Sequence, residues 1–518
     1  MMSNLKIWNY LSVPWVSFVL IFYISFFSLA FFNEVDAGYI SNKYLIELIS
    51  NTFFLSVFSS IIAALIAVPL ALIVSFYTFP GSRFFNWGLS LTIAFPVYVY
   101  AFIFVGIFEY SSPIAEFLRA INLNLPPIKN MFGSSMIMAM ALFPYIFLIT
   151  KAQLTSVGFK VFKAAKSLGD TNVKAIFKII LPSLIPTILA GMILVIFETI
   201  SDFGGVTTLR IDTFTVGIYD AWFGYQSYFS AARLASYLLL IVFFIMFLSK
   251  YFLKGNSVIA ASTAESFQKI QPSKKIQFLF SSVCSFIFFI TFCVPFIQLI
   301  IWSLSSVDVN IYKNFYLLLN SLMLGILASL ITVLIAITLS LGYRGSKYLR
   351  PLISIATSGY AIPGSVISAG LLIGFYSLYG SSLTIFGIYG LLLCLVLRFL
   401  TPAFNYISSS LSNISASSEN ALRMQPINSF KAFSYFYFPH IKKSIFLGVM
   451  IVFIETVKEQ PATLLLRPVG FDTLSTRIYN FTSEGQWEMA AHPSILLVLL
   501  SFVFVYLINQ NLDFKKGS

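Results

Sequence analysis

Twelve long runs of mostly apolar residues, separated by short polar stretches, constrain this 518-residue chain more than any other feature. About 20 such residues wound as a helix cross the roughly 30 Å hydrocarbon layer of a bilayer. Inside that layer, backbone groups are satisfied only within helices or closed barrels. The runs lie near residues 13–32, 51–76, 88–108, 132–150, 182–201, 231–253, 276–304, 319–342, 351–376, 383–400, 444–460 and 491–509. With 58% hydrophobic and only 10% charged residues, the chain lacks the polar surface of a soluble fold. The expectation is an all-α polytopic membrane protein of twelve transmembrane helices, six in each half. The first run has only Lys6 ahead of it and no small-residue cleavage site, so it reads as a retained anchor.

A net charge of +13 raises nucleic acid as a partner, but the placement of the charges points to the bilayer instead. With the N-terminus inside, most of the 32 basic residues fall on one side: Lys6, Arg83, the lysines from Lys151 to Lys178 and from Lys250 to Lys275, Arg344, Lys347, Arg350, Arg398, Arg423, Lys431, Lys442, Lys443, Lys515 and Lys516. Most of the 19 acids fall on the other side or at the helix ends beside it. That bias marks the basic side as cytoplasmic. It implies a multi-pass protein of the bacterial plasma (inner) membrane with both termini in the cytoplasm, lipid around it and no nucleic-acid partner.

One segment recurs. KAAKSLGDTNVKAIFKIILP, residues 163–182, aligns without gaps with NALRMQPINSFKAFSYFYFP, residues 420–439. The alignment pairs Ala164 with Ala421, Lys166 with Arg423, Thr171 with Asn428, Lys174 with Lys431, Ala175 with Ala432 and Pro182 with Pro439. The echo extends outward to Asn51 and Asn320, Pro96 and Pro363, Pro144 and Pro402, Glu198-Thr199 and Glu455-Thr456, and Asp212-Thr213 and Asp472-Thr473. The chain therefore divides into a first repeat, 1–254, a polar cytoplasmic linker, 255–275, and a second repeat, 276–518. The two six-helix repeats run parallel, about an axis along the membrane normal. Within the first copy, Gly169 should end one short helix in the left-handed conformation, and Asp170 or Thr171 should cap a second. That second helix carries Val173, Ile176, Phe177 and Ile180 at helical spacing, with Lys174 and Lys178 on other faces, and suits a partner's groove.

The residues of an enzyme are missing. His440 and His492 fall on opposite sides of the membrane, and Cys284, Cys293 and Cys394 lie singly in apolar runs, so neither a metal site nor a disulfide is expected. No G-x-x-x-x-G-K-[ST] phosphate loop occurs, so nucleotide energy has to come from another chain. Four carboxylates stand out at the outer ends of the fifth and eleventh runs: Glu198 with Asp202, and Glu455 with Glu459. Spaced one helical turn apart at the edge of hydrocarbon, they need compensation. They either line a path that attracts a cation or pair with Lys458, Arg467, Arg210 or Arg233. Pro96 and Pro363 mark kinks in the third span of each half, either shaping a gate or serving packing alone. The aromatic segments 206–230 and 463–489 read as surface or re-entrant stretches that dock an extracytoplasmic protein or cap a cavity.

The Ala-Ala-x-x-x-Gly element of the first copy, Ala164, Ala165 and Gly169, followed by Leu181 and Pro182, resembles the coupling loop of binding-protein-dependent ABC importer permeases. Two such loops with six spans each resemble the fused permeases of the ferric-iron importer family. DFGG…DTFTVGIYDAWF and KEQPATLLLRP…FDTLSTRIYN are the most specific local matches. The family glutamate is Lys163 here, and in the second copy the glycine falls at Pro426 and the second alanine at Leu422. The resemblance implies the type I ABC importer permease fold, with an ATPase homodimer gripping Ala164, Ala165, Gly169, Asp170, Lys174, Leu181 and Pro182 in one loop. In the other loop it would grip Ala421, Arg423, Asn428, Lys431 and Pro439. It also implies a periplasmic binding protein that delivers ferric iron, no cofactor in this chain, and ATP with magnesium held by the partner ATPase. Thiamine, phosphonate or a polyamine is the alternative cargo, and an ion-coupled secondary transporter the alternative class.

Overall fold

The computed structural model describes residues 6–32, 40–155, 159–252, 269–306, 311–379, 387–424 and 427–513. Most of the linker and Pro426 lie outside the described residues. The first half contains α1 (Lys6–Phe32), α2 (Asn42–Phe76), α3 (Ser82–Gly88), α4 (Val97–Phe108), α5 (Pro113–Ala120), α6 (Met131–Gln153), α7 (Phe159–Ser167), α8 (Asn172–Ala175), α9 (Leu181–Ser201), α10 (Gly204–Leu209), α11 (Phe214–Tyr219) and α12 (Tyr228–Phe252). The second contains α13 (Lys274–Phe288), α14 (Val294–Ser305), α15 (Ile311–Gly345), α16 (Leu349–Ala356), α17 (Gly364–Tyr379), α18 (Gly387–Ser412), α19 (Ala416–Arg423), α20 (Ser429–Ala432), α21 (Phe438–Lys458), α22 (Pro461–Leu466), α23 (Leu474–Ser483) and α24 (Trp487–Asp513).

Among the described residues, ten helices are long and apolar enough to cross a membrane, or eleven if the bent pair Leu349–Ala361 and Gly364–Phe375 counts as one span. The shortfall from twelve has a plain cause. The expected span at 444–460 lies in α21, where Lys442 and Lys443 near one end and Glu455 and Lys458 near the other shorten the uninterrupted apolar length. The long helices are built as lipid demands: on α2 the small residues Ser56, Ser59, Ser60, Ala63, Ala67 and Ala71 are buried at helical spacing, while Phe53, Phe54, Phe58, Ile61 and Leu65 are exposed. Small residues let helix backbones approach, and the large apolar ones face outward.

The third spans are broken rather than kinked. In the first half a 3₁₀ turn, Leu89–Ala94, leads to Phe95 and Pro96 in extended conformation before α4 begins. In the second, α16 and a 3₁₀ turn, Gly359–Ala361, meet α17 across Pro363 at 110°. In the second half freed backbone groups are satisfied by a neighbouring helix, as irregular backbone at membrane depth requires: Thr401 Oγ1 on α18 accepts from Tyr360 N (3.1 Å) and donates to Thr357 O (2.6 Å).

Two compact units emerge, and their boundaries differ from those of the sequence halves. One unit comprises residues 1–44, 214–240 and 310–479; the other comprises 45–213, 241–309 and 480–518. In the former, α1 packs along α15, α16 and α17, and Ser12 Oγ reaches Thr338 O at 3.1 Å. In the latter, α14 packs against α24 and α4. Each half thus contributes its first helix to the unit that holds most of the other half. The end of the linker has its own place in the second of these units, where Ile270 forms a single parallel bridge with Tyr77.

Candidate functional site

The recurring segments fold alike. In the first, α7 ends in a pair of bonds typical of a helix terminated by a left-handed residue: Gly169 N to Lys166 O (3.0 Å) and Asp170 N to Ala165 O (3.2 Å), with Gly169 at φ +90°. Thr171, rather than Asp170, caps α8, its Oγ1 accepting from Lys174 N at 3.4 Å. Asp170 pairs with Lys174 Nζ at 3.0 Å. In the second, Asn428 Oδ1 caps α20 by accepting from Lys431 N at 2.8 Å. Thr171 and Asn428 are the mates that the alignment pairs.

Beyond its cap each segment differs from expectation in the same way. No second free-standing short helix exists. A π-helical turn, Ile176–Ile180 in one copy and Phe433–Tyr437 in the other, joins the cap helix directly to α9 or α21, with Pro182 and Pro439 in the first turn of each. The backbone stays helical from Asn172 to Ser201. α8 is therefore joined to a long apolar helix through continuous hydrogen-bonded backbone. The faces also sort differently from the sequence pattern. Ala175, Ile176 and Ile180 are buried, whereas Val173 and Phe177 are exposed, as is Leu168 on the preceding turn. The second copy buries Ala432 and Tyr437 and exposes Met424, Phe430 and Tyr435. Each lever thus presents large apolar side chains outward, beside Lys174 in one copy and Lys431 in the other.

A glutamate does enter the second segment, one position ahead of the aligned site. Glu419 is buried on α19, bridged by Arg344 Nη2 at 3.1 Å and by the Tyr437 hydroxyl, which donates to Oε1 at 2.8 Å. This ties the lever to the end of α15. Lys163, its nearest counterpart in the first copy, cannot make that bond.

The four carboxylates are only partly what their spacing suggested. α9 ends at Ser201 and α21 at Lys458, so Asp202 and Glu459 sit in extended conformation just past the helix ends. Asp202 Oδ2 accepts from Val206 N at 2.9 Å, and Glu459 Oε1 accepts from Ala462 N at 3.1 Å. Each holds the first turn of the following short helix, α10 or α22. Glu459 also meets Arg398 Nη1 at 3.4 Å, with both side chains buried. Arg398 is therefore not a cytoplasmic residue, as its place in the charge partition implied. It stands in the middle of α18, and the positive-inside count loses one member. Arg467, one of the expected partners, is paired with Asp472 instead. Gly364, at the break before α17, leaves the space that the pair needs, since a Cβ there would lie 2.2 Å from Glu459 Oε1 and 2.6 Å from Arg398 Nη1. A lone arginine inside the apolar run GIYGLLLCLVLRFL was the available signal, because such a charge in hydrocarbon requires a partner.

The segments after these carboxylates fold as short helices with buried apolar faces and reach the surface at Phe223, Tyr225 and Val469. α10 and α11 bury Val206, Leu209, Phe214 and Ile218, and α22 and α23 bury Ala462, Leu465, Leu474 and Ile478. They are tethered identically: Asn51 Nδ2 donates to Asp212 O at 2.9 Å, and Asn320 Nδ2 donates to Asp472 O at 2.9 Å. Among the described residues no three His, Cys, Asp or Glu side chains converge as a metal site would require.

Residues 67–258, which include the first lever, match the model of a family described as the binding-protein-dependent transport system inner membrane component. Over 476 residues, 90% of either chain, the sequence is 26% identical to an Fe(3+)-transport system permease protein of Haemophilus influenzae. Over 497 residues, 89% of this chain and 71% of the other, it is 21% identical to a ferric transport system permease protein of Actinobacillus pleuropneumoniae. A sulfate transport system permease protein of Salmonella typhimurium is 25% identical over 148 residues, 29% of this chain.

Proposed function

We propose that this chain, a member of the binding-protein-dependent inner-membrane transport permeases, is the fused permease of an ABC importer and forms the path by which ferric iron crosses the membrane. The observation that carries the proposal is the pair of levers. Two segments with matching caps, π-helical turns and prolines each run unbroken into a long helix and each expose apolar side chains beside a lysine. Such a pair suits a two-fold partner that grips both at once, and an ATPase homodimer is that partner. ATP and magnesium are held there; the permease supplies levers and path. Ferric iron is favoured over sulfate because the two ferric relatives align along about nine-tenths of this chain and the sulfate relative along less than a third.

The repeat reading, 1–254 and 276–518 about a cytoplasmic linker at 255–275, is supported by mates that make the same bonds, Asn51 with Asn320 and Thr171 with Asn428, and by Asp202 and Glu459, which both cap the short helix that follows. In the working cycle, a binding protein releases its cargo at the outer face. ATP-driven closure of the ATPases draws α8 and α20 together and shifts the packing between two states, which hydrolysis then resets. Ala164, Ala165, Gly169, Asp170, Leu181, Ala421 and Arg423 belong to the gripped surfaces and their supports. Of the four carboxylates, Asp202 and Glu459 act as helix caps. Glu198 and Glu455, both half-buried, are the ones placed to meet a passing cation.

The decisive experiment labels cysteines at Leu168 and Met424 in intact cells and in inside-out vesicles. Both should react only from the cytoplasmic face and be shielded when the ATPase is bound; reaction from opposite faces would refute the machine. Uptake of radioactive ferric iron with and without the gene tests the cargo separately, with labelled sulfate as the competing substrate.

A further inference from the structure

Tyr219 closes α11 and Tyr479 lies in α23, and the two side chains touch. Their ring centroids are 6.0 Å apart with planes at 69°, and their hydroxyls are hydrogen-bonded to each other. Their positions in the two halves correspond. The separation that relates Asp212-Thr213 to Asp472-Thr473 also relates Tyr219 to Tyr479. Each tyrosine follows a segment whose start is tethered by the asparagine of its own half. Symmetry mates can touch each other only across the axis that relates them. A cargo that passes between two parallel repeats travels along that axis.

The chemistry gathered there is oxygen. Asp220 follows Tyr219 directly, and its charge acts on both phenols. All three side chains are half-buried, neither sealed in the core nor fully in solvent. The Arg467 charge acts on Tyr219 and that of Arg477 acts on Arg467, and Arg467 is paired with Asp472. A trivalent hard cation prefers anionic oxygen donors over sulfur or neutral nitrogen. Two phenol oxygens beside a carboxylate supply donors of that kind.

We propose that Tyr219, Tyr479 and Asp220 form a transient coordination site for the ferric ion during its passage. The inference rests on the importer reading given above. Binding exchanges two phenol protons for one metal ion: Fe³⁺ takes two phenolates and one carboxylate, two protons go to water, and three negative donors balance the three positive charges. No electron moves. Water completes the coordination, which keeps the stay short.

The test uses the permease assembled with its ATPase in lipid nanodiscs, with ferric citrate as the probe. Iron bound by phenolate gives a visible charge-transfer band, expected in the wild type and lost in Y219F, Y479F and the double variant. In cells, with membrane abundance matched, the double variant should lower uptake of labelled ferric iron by roughly 10–100-fold, the loss that follows removal of metal-supporting groups. D220N should weaken the band without abolishing it. Absence of the band in the wild type, its persistence in the double variant, or wild-type uptake by that variant would overturn the site. If deleting the whole gene leaves iron uptake intact, the ferric reading itself falls; if deletion abolishes uptake while the double phenylalanine variant keeps it, only the tyrosine site falls.

Discussion

Asp202 in the first half and Glu459 in the second occupy corresponding positions and cap corresponding helices, yet their surroundings differ. Asp202 is half-buried, while Glu459 is buried and meets Arg398. The residue that pairs with Arg398 in the first half, by the register of Pro144 and Pro402, is Met140. A half-buried carboxylate keeps part of its contact with solvent. One carried deeper on a longer side chain needs a cation, because desolvating a lone charge costs more than a backbone bond returns. The two halves therefore share a scaffold and divide the electrostatic task unequally.

The sharpest way to break that comparison is Arg398→Met, which gives the second half the residue of the first. Leaving Glu459 buried without its guanidinium should cost about 3–5 kcal/mol, read as a large drop in the unfolding midpoint of detergent-solubilised protein. The double variant R398M/E459Q should recover most of the loss. If the single variant unfolds like the wild type, Arg398 does not compensate Glu459. Next in size is Gly169→Val. A β-branched residue at φ +90° carries about 1–3 kcal/mol of backbone strain, concentrated where α7 turns into the lever. Membrane insertion should survive, while ATP hydrolysis becomes detached from transport; normal ligand-stimulated hydrolysis coupled to uptake would argue against a coupling role.

Smaller effects sharpen the symmetry. Asp202→Ala removes a helix cap at a half-buried site, so it should cost about 1 kcal/mol, clearly less than Arg398→Met; equal losses would mean that the two carboxylates are equally dependent on charge compensation. Thr171→Ala and Asn428→Ala should each cost about 1 kcal/mol as lost N-caps. If the levers work as equals, the two variants should lower transport to a similar degree. A defect confined to Thr171→Ala would make the first lever dominant.

Local chemistry made much of this legible beforehand. Gly169, Thr171 and Asn428 act within a few residues of themselves, and the terminators and caps they form are visible in any short window. The long spans were readable too, since hydrocarbon imposes length and composition on a helix. Three features were not. Arg398 looked cytoplasmic because it lies toward the end of an apolar run whose helix in fact continues to Ser412. Its partner, sixty-one residues onward, is set by packing and not by pattern. The break at Pro363 goes beyond a kink because Thr401, on a neighbouring helix, bonds the freed backbone groups of Thr357 and Tyr360, a condition no local sequence states. The exposed side of the lever was misassigned because Val173 and Phe177 share one helical face and Ile176 and Ile180 the next, and packing, not pattern, decides which of two apolar faces is covered.

The exchange of opening helices has a consequence for biosynthesis. A chain is inserted into its bilayer from the N-terminus onward, and α1 emerges long before α15, the helix along which it packs. Apart from the contact of Phe31 with Tyr237 on α12, it must wait in lipid until the ribosome has delivered the second half. The unit built mostly from the first half stays open until α24, the final helix, docks on α14. Neither unit is complete when the linker is translated, so a gene cut at that linker would yield two products that each lack a structural member, and only their joint production would restore either one.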